Sequence, residues 1–289
     1  MSIPHLLMIL LANTAWGLNF VAGKIGAEHF QPLFFTALRF MFLLLLMLPW
    51  LKPAQGYMKP LLKVAFLLGV LHFSMIFIGL HAGGDIASIA ITTQLYVPFS
   101  AILASVFLRE KISLLSLSSI ALAFVGVMVI SFDPIVFNHL DAILWVSGSA
   151  MVMAVATILM RQCPNLGVFN LQAWIALVAF PSLLVLSSIF ESGQYKIFSD
   201  ASFFDFWTPL YSAVGASITG HGIVYYLLGR YPVSIVTPLL LPTPVIATFL
   251  GVLIFGDILG WKLIVGGSMT LLGVLMLVKP AKSQKKPIP

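Results

Sequence analysis

QLYVPFSAILASVFLREKISLLSLSSIALAFVG, running from Gln94 to Gly126, decides the fold, because the chain repeats it. An apolar run from Tyr96 to Leu108 meets a charged turn, Arg109-Glu110-Lys111, and a second apolar run leads to Gly126. Adding 147 to each number returns the pattern. Leu108 falls on Phe255, Glu110 on Asp257, Ser119 on Gly266, Ala123 on Thr270, and Gly126-Val127 on Gly273-Val274. Pro98 and Pro244 come within one residue of the same offset. An acidic turn and a ladder of small residues at one constant offset mark an internal duplication. Each half holds five apolar spans, and an odd number turns the second copy upside down in the membrane relative to the first.

Composition agrees. The 289 residues are 60% hydrophobic and 8% charged, whereas a soluble domain carries about 25% charged residues. Apolar spans are predicted at roughly 4–23, 32–51, 63–82, 86–108, 113–132, 142–161, 169–190, 206–229, 233–255 and 259–278. Each reaches the ~20 residues that cross a hydrocarbon core. The loops are short, and many carry a helix breaker: Gln31-Pro32, Lys52-Pro53, Asp133-Pro134, Cys163-Pro164 and Tyr231-Pro232. The longest connection, Glu191 to Asp205, is too small to fold alone, so no soluble domain is left over. The first span lacks a basic leader and reads as a retained helix, not a cleaved signal. The expected fold class is therefore all-α: a polytopic membrane protein of ten transmembrane helices in two inverted five-helix repeats. The repeats are placed at 1–135 and 139–280, with a basic cytoplasmic tail at 281–289. Cys163 is the single cysteine and forms no internal disulfide.

Charge sets the orientation. With the amino terminus inside, one side collects Lys52, Lys59, Lys63, Arg109, Lys111, Arg161, Arg230 and the tail lysines Lys279, Lys282, Lys285 and Lys286. The other side receives only Lys24, Lys196 and Lys262, with Arg39 inside a span. Basic loops stay cytoplasmic, which places both termini inside an inner (plasma) membrane. The net charge of +6 is thus accounted for by loops, without a nucleic-acid partner.

Trp16-Gly17-Leu18-Asn19-Phe20, Leu38-Arg39-Phe40 and the acidic turns after the fourth and ninth spans resemble the drug/metabolite transporter superfamily. More narrowly, the chain resembles its ten-helix branch of duplicated EamA domains. Gln94 and Leu227-Leu228-Gly229-Arg230-Tyr231 resemble the amino-acid metabolite exporters for cysteine and O-acetylserine within it. That family usually carries Gly-Glu at both acidic turns, where this chain has Arg109-Glu110 and Gly256-Asp257. The resemblance covers nearly the whole chain and implies a transporter, with no enzymatic activity and no cofactor.

Polar residues inside spans are the candidates for substrate contact, since they tend to face the bundle interior or a water-filled cavity. Asn13, Trp16 and Asn19 recur every three residues on one helix face. They read either as a cavity wall or as asparagine glue between helices. Arg39 reads as an attractor for a substrate carboxylate, or as a side chain that snorkels to the headgroups or caps carbonyls of a neighbouring helix. His72 and His221 lie two residues apart once the offset of 147 is removed, so they can face one another across a pseudo-two-fold axis. Such a pair can bind a carboxylate or relay a proton, though a single membrane histidine is often a hydrogen-bonded structural residue. Gln94 and Tyr96 precede Pro98, and Pro238, Pro242 and Pro244 crowd the ninth span. Broken helices at corresponding places in two halves point to a binding site. Trp174, Tyr225 and Tyr226 are further candidate linings. The pairs Ser119/Ala123 and Gly266/Thr270 suit close helix packing, within the bundle or at a homodimer contact.

No carboxylate lies in the middle of a span, because Glu28, Asp85, Glu110, Asp133, Asp141, Glu191, Asp205 and Asp257 fall at ends or in loops. A proton-coupled exporter of cationic drugs needs such an acid. The sequence also lacks a phosphate-cradling glycine loop, metal-ligand spacing and a nucleophile–base pair. These features predict a secondary transporter that exports small amphipathic metabolites, amino acids or derivatives, by alternating access. Its partners are then that small molecule and membrane lipid, with a homodimer as an option. The rivals are a polytopic membrane enzyme using His72 or His221 as base, a transporter of another metabolite class, and a channel with one narrow polar file.

Overall fold

The computed structural model describes residues 1–82, 86–108, 113–132, 138–160, 166–228, 230–231, 237–240 and 242–278. Arg109-Glu110-Lys111, Asp85, Asp133, Cys163 and Gly229 lie outside the described residues. The described residues are predominantly helical, joined by short turns, with no strand among them. Among the described residues, five helices are long and apolar enough to cross a membrane unaided: Ile3–His29, Pro32–Trp50, Met58–His81, Leu140–Met160 and Val168–Phe190. These are spans 1, 2, 3, 6 and 7. The other spans are shorter or made of pieces. Span 4 comprises Ile86–Thr92, Thr93–Leu95 and Tyr96–Leu108, and span 5 is Leu114–Ser131. Span 8 comprises Trp207–Tyr211, Ser212–His221 and Gly222–Leu228. Span 9 comprises Thr237–Leu240 and Pro242–Phe255, and span 10 is Trp261–Val278. The chain is an integral membrane protein.

Span 1 is longer than its hydropathy predicts. It continues through Lys24 and Glu28 to His29, and ends where the Phe30 N–H bonds the Gly26 carbonyl just before Gln31-Pro32. At ~1.5 Å per residue it extends beyond the ~30 Å hydrocarbon core, which leaves its charged last turns outside. The Glu191–Asp205 connection holds a short helix, Gln194–Asp200, and a 3-10 turn, Phe203–Phe206.

Packing partners follow a two-fold exchange of the halves. Span 1 packs on spans 8 and 9, and its counterpart, span 6, packs on spans 3 and 4. Spans 2 and 7, spans 4 and 9, and spans 5 and 10 each pair with their own counterparts. The duplicated stretch shows why. A Cβ on Gly126 would lie 2.6 Å from the backbone nitrogen of Thr270, and one on Gly273 would lie 2.7 Å from both Ala123 N and Ser119 O. Thr270 Oγ1 donates to the Ala123 carbonyl at 3.3 Å, across the offset of 147. The small-residue ladder therefore closes spans 5 and 10 on each other within the chain, backbone to backbone.

Spans 2 and 7 are clamped at both ends. The Glu191 carboxylate accepts from Leu33 N at 2.7 Å and Phe34 N at 3.0 Å, satisfying the free donors at the start of span 2. At the opposite end Asn170 Oδ1 accepts from Lys52 N at 3.0 Å. The second acidic turn has a comparable structural role: Asp257 accepts from Lys24 Nζ at 3.0 Å and from Ile86 N at 3.2 Å, tying span 1 to the start of span 4.

Two kinds of interruption occur in matched pairs. Spans 4 and 9 carry 3-10 turns, at Thr93–Leu95 and Thr237–Leu240. Pro98, Pro242 and Pro244 then fall in the first turn of the following helix, where a missing N–H costs little. Spans 3 and 8 carry π-helical segments, Phe66–His72 and Ser212–His221, and each ends on a histidine. π segments inside membrane helices often mark functional sites.

Candidate functional site

The π segments face a common chamber. Its lining comes from span 2 (Phe40, Leu43), span 3 (Leu68, His72, Phe73), span 6 (Met153), span 7 (Gln172, Ile175) and span 8 (Ser217, His221, Tyr225). The space has room for roughly one or two molecules the size of water. Most of the wall is apolar, with a few convergent polar groups, the usual make-up of a small-molecule site.

Both histidines line this chamber, as their near-equivalence predicts. Phe73 lies between them, its ring centroid 4.7 Å from His72 and 6.0 Å from His221. His72 Nδ1 sits 3.0 Å from the Ser149 carbonyl, and His221 Nδ1 sits 2.8 Å from the Ala216 carbonyl. A carbonyl only accepts, so a hydrogen on each Nδ1 satisfies these contacts, and a neutral ring then has Nε2 left to accept. Ser149 Oγ donates to the His72 carbonyl at 2.9 Å, which locks span 6 against the π segment of span 3.

Arg39 stands directly behind this wall. It is 0% exposed, so it does not snorkel to the headgroups. Its Nη2 donates to Ser217 Oγ at 2.8 Å, and its guanidinium lies 4.0 Å from the Phe73 ring centroid. Nε and Nη1 are buried without a hydrogen-bond partner. No carboxylate pairs with Arg39 among the described residues, where the ion pairs are Lys24–Asp257 and His29–Asp205. A buried cation held only by a hydroxyl and aromatic faces is expensive unless something else meets it.

Gln172 is the residue that sequence reading missed. It is 3% exposed, lines the chamber, and neither Nε2 nor Oε1 has a partner. Its only sequence signal is a lone amide in the apolar run of span 7. Ser149 and Ser217 were missed for the same reason, since serine is common in membrane helices. Among the described residues no cluster of His, Cys, Asp or Glu could hold a metal ion.

The other candidates sit elsewhere. The stripe on span 1 joins helices. Asn13 Nδ2 donates to the Leu239 carbonyl at 2.7 Å while its Oδ1 accepts from Thr243 Oγ1 at 2.6 Å. Trp16 Nε1 donates to the Ala216 carbonyl at 3.1 Å, sharing that acceptor with His221, and the Asn19 Oδ1 accepts from Ser212 Oγ at 2.7 Å. A Cβ on Gly220 would come 2.7 Å from Trp16 Cδ1, so the indole is seated flat against the π segment. Trp16 and Asn19 thus brace the back of the chamber wall and do not form its lining in this conformation. Gln94 is buried in the 3-10 turn of span 4, and Tyr96 packs against the apolar cluster that includes Leu95, Val127 and Ile143. Trp174 Nε1 donates to the Lys52 carbonyl at 2.9 Å, at the end of span 2. Pro242 is exposed at the start of its helix, and Tyr226 carries Arg230 over its ring at 3.6 Å. Of the sequence candidates, His72, His221 and Tyr225 meet in the chamber, with Arg39 against it.

Comparison with known proteins agrees with this architecture. The model of the EamA-like transporter family matches residues 3–132 and again 140–279. The chain belongs to the EamA-like transporter family. Among relatives of this transporter, a protein of Salmonella typhimurium (strain LT2), named a probable amino-acid metabolite efflux pump, is 28% identical, covering 94% of this chain and 93% of that protein. An Escherichia coli K12 protein of the same name is 27% identical over the same shares. An uncharacterized transporter of Archaeoglobus fulgidus is 26% identical, over 94% of this chain and 98% of its own length. One solved crystal structure superposes with a TM-score of 0.65 at 13% identity, over 96% of each chain, a likeness of fold alone. This EamA-like chain is a transporter and not an enzyme.

Proposed function

We propose that this EamA-like transporter exports small amphipathic metabolites, amino acids or their derivatives, by alternating access around the chamber between spans 2, 3, 7 and 8. It sits in the inner (plasma) membrane with both termini cytoplasmic, and its halves, 1–135 and 139–280, rock against one another. The reading is carried by one observation: the chamber presents unsatisfied polar groups, Gln172 at its wall and Arg39 behind it, amid aromatic and aliphatic side chains. An amphipathic solute answers both needs. The names of the Salmonella and Escherichia relatives support the substrate class, and the basic loops support the orientation. The chamber as it stands is too small for a metabolite, so loading requires side chains such as Phe40 and Phe73 to move aside, as a cycle between two access states demands. Counterflow of a panel of radiolabelled amino acids and derivatives in proteoliposomes tests the proposal. Saturable exchange of at least one compound is expected, and absence of exchange across the panel in folded protein refutes it. Reporter domains fused after Pro289 and in the Lys196 loop test the orientation, and a carboxy terminus outside would overturn it.

A further inference from the structure

The charge of the chamber narrows the substrate further. Resting on the exporter reading above, we infer that the preferred substrate is a net monoanion: a carboxylate on an apolar body, without a free ammonium group. A 2-oxo acid or an N-acylated amino acid has this chemistry.

Arg39 brings one positive charge to the chamber wall, fully buried, with Nε and Nη1 unpartnered. Guanidinium stays protonated in proteins, so the charge is permanent. What surrounds it is neutral. Ser217 supplies an oxygen, and Phe40, Phe73 and Phe77 supply ring faces. The carboxylates of the described residues are engaged or placed at span ends: Glu191 at the start of span 2, Asp257 with Lys24, Asp141 in the first turn of span 6, Glu28 in the last turn of span 1, and Asp200 and Asp205 in the connection before span 8. A carboxylate entering the chamber would offer Arg39 the missing counter-charge and accept from Nε, Nη1 and the Gln172 amide, in the forked geometry that guanidinium favours.

An ammonium group finds no such partner. The lining offers it uncharged acceptors: Gln172 Oε1, the Ser217 and Tyr225 hydroxyls and, on a neutral ring, an imidazole nitrogen. A zwitterion would bring a second positive charge near Arg39 in a water-poor site, where like charges repel far more strongly than in bulk water. Protonation of either histidine would add positive charge and sharpen the same preference. Beyond the polar end, Leu43, Leu68, Met153 and Ile175 form an apolar wall that favours a branched or aromatic side chain.

A matched series separates charge from shape. 4-Methyl-2-oxopentanoate, N-acetyl-leucine, leucine and leucinamide share one side chain and differ in charge at the other end. Binding to purified, detergent-solubilised wild-type protein is measured by thermal shift and by competition against exchange of the best compound from the panel. The two anions should bind about ten-fold or more tighter than leucine, and leucinamide should be weakest. Arg39→Gln should abolish this order, while Asn19→Leu, at a residue that braces span 8 outside the chamber, should preserve it. Leucine binding as tightly as the anions in the wild-type protein overturns the inference, whatever the variants do. Amino acids that exchange while neither anion binds would overturn it and leave the exporter reading standing. If nothing in the panel or the series binds or moves, the exporter reading falls and takes this inference with it.

Discussion

Adding one methyl group at Gly126 should break the seam between the two halves. The new Cβ would stand 2.6 Å from Thr270 N, a backbone atom in span 10. An ordinary contact needs about 3.4 Å or more, so spans 5 and 10 must separate by the better part of an ångström. A gap of ~0.5–1 Å forfeits a quarter to a half of each dispersion contact along the seam, and overpacking of a well-packed contact costs roughly 1–3 kcal/mol. Gly126→Ala should therefore lower unfolding stability by about 2–3 kcal/mol, the upper part of that range, because both sides of the clash are backbone. Gly273→Ala should cost a similar amount, since it meets Ala123 N and Ser119 O at 2.7 Å in the equivalent geometry. The double variant should lose less than the sum, because one widening accommodates both methyls. Unfolding in mixed micelles, followed by tryptophan fluorescence, gives the three values. A wild-type midpoint for Gly126→Ala, or strict additivity of the pair, would refute the seam.

Other consequences can be checked on the same preparation. Asn19→Leu removes the acceptor of Ser212 Oγ and should cost on the order of 1 kcal/mol in stability while leaving substrate affinity unchanged. A fall in affinity at unaltered stability would instead put Asn19 on the transport path. Asp257→Asn keeps an oxygen for Ile86 N but loses the charge opposite Lys24; transport should persist with a lowered melting temperature, and complete loss of transport in folded protein would reveal a coupling site there. Asp205 is held below the usual carboxylate range by donors from Ser202, backbone first and hydroxyl second, so its capping contribution is present at neutral pH and lost as pH falls through its lowered pKa. Amide exchange at Ser202 should accelerate only at that acid end, and Asp205→Asn should show the acceleration at neutral pH.

Much of the fold was legible because lipid leaves few options: every backbone polar group must be satisfied within the span, so apolar runs of sufficient length are helices. The ladder Ser119, Ala123, Gly126 and its echo were legible as a seam because only small residues let backbones touch. The site was legible in part. His72 and His221 were found by their near-equivalence, and the residual mismatch has a cause: the π segments that end on them are seven and ten residues long, so the offset drifts along the span. Which way a mid-span polar residue faces was not legible. Hydropathy averages over all faces of a helix and does not register which neighbour each face meets. On the unbroken helices of spans 1, 2 and 7, Trp16 and Asn19 face span 8, Gln172 faces the chamber, and Arg39 meets Phe73 and Ser217.

The most direct test of the chamber as the transport site is one variant, Gln172→Leu, measured twice. Both polar ends of Gln172 are buried and unpartnered, so leucine should raise the unfolding stability by roughly 1–2 kcal/mol. The same change removes a substrate contact, so the KM for counterflow of the best compound should rise several-fold. Greater stability with weakened transport is the expected result. A variant that is more stable and transports with unchanged KM would show that the chamber is a packing defect and that the substrate passes elsewhere.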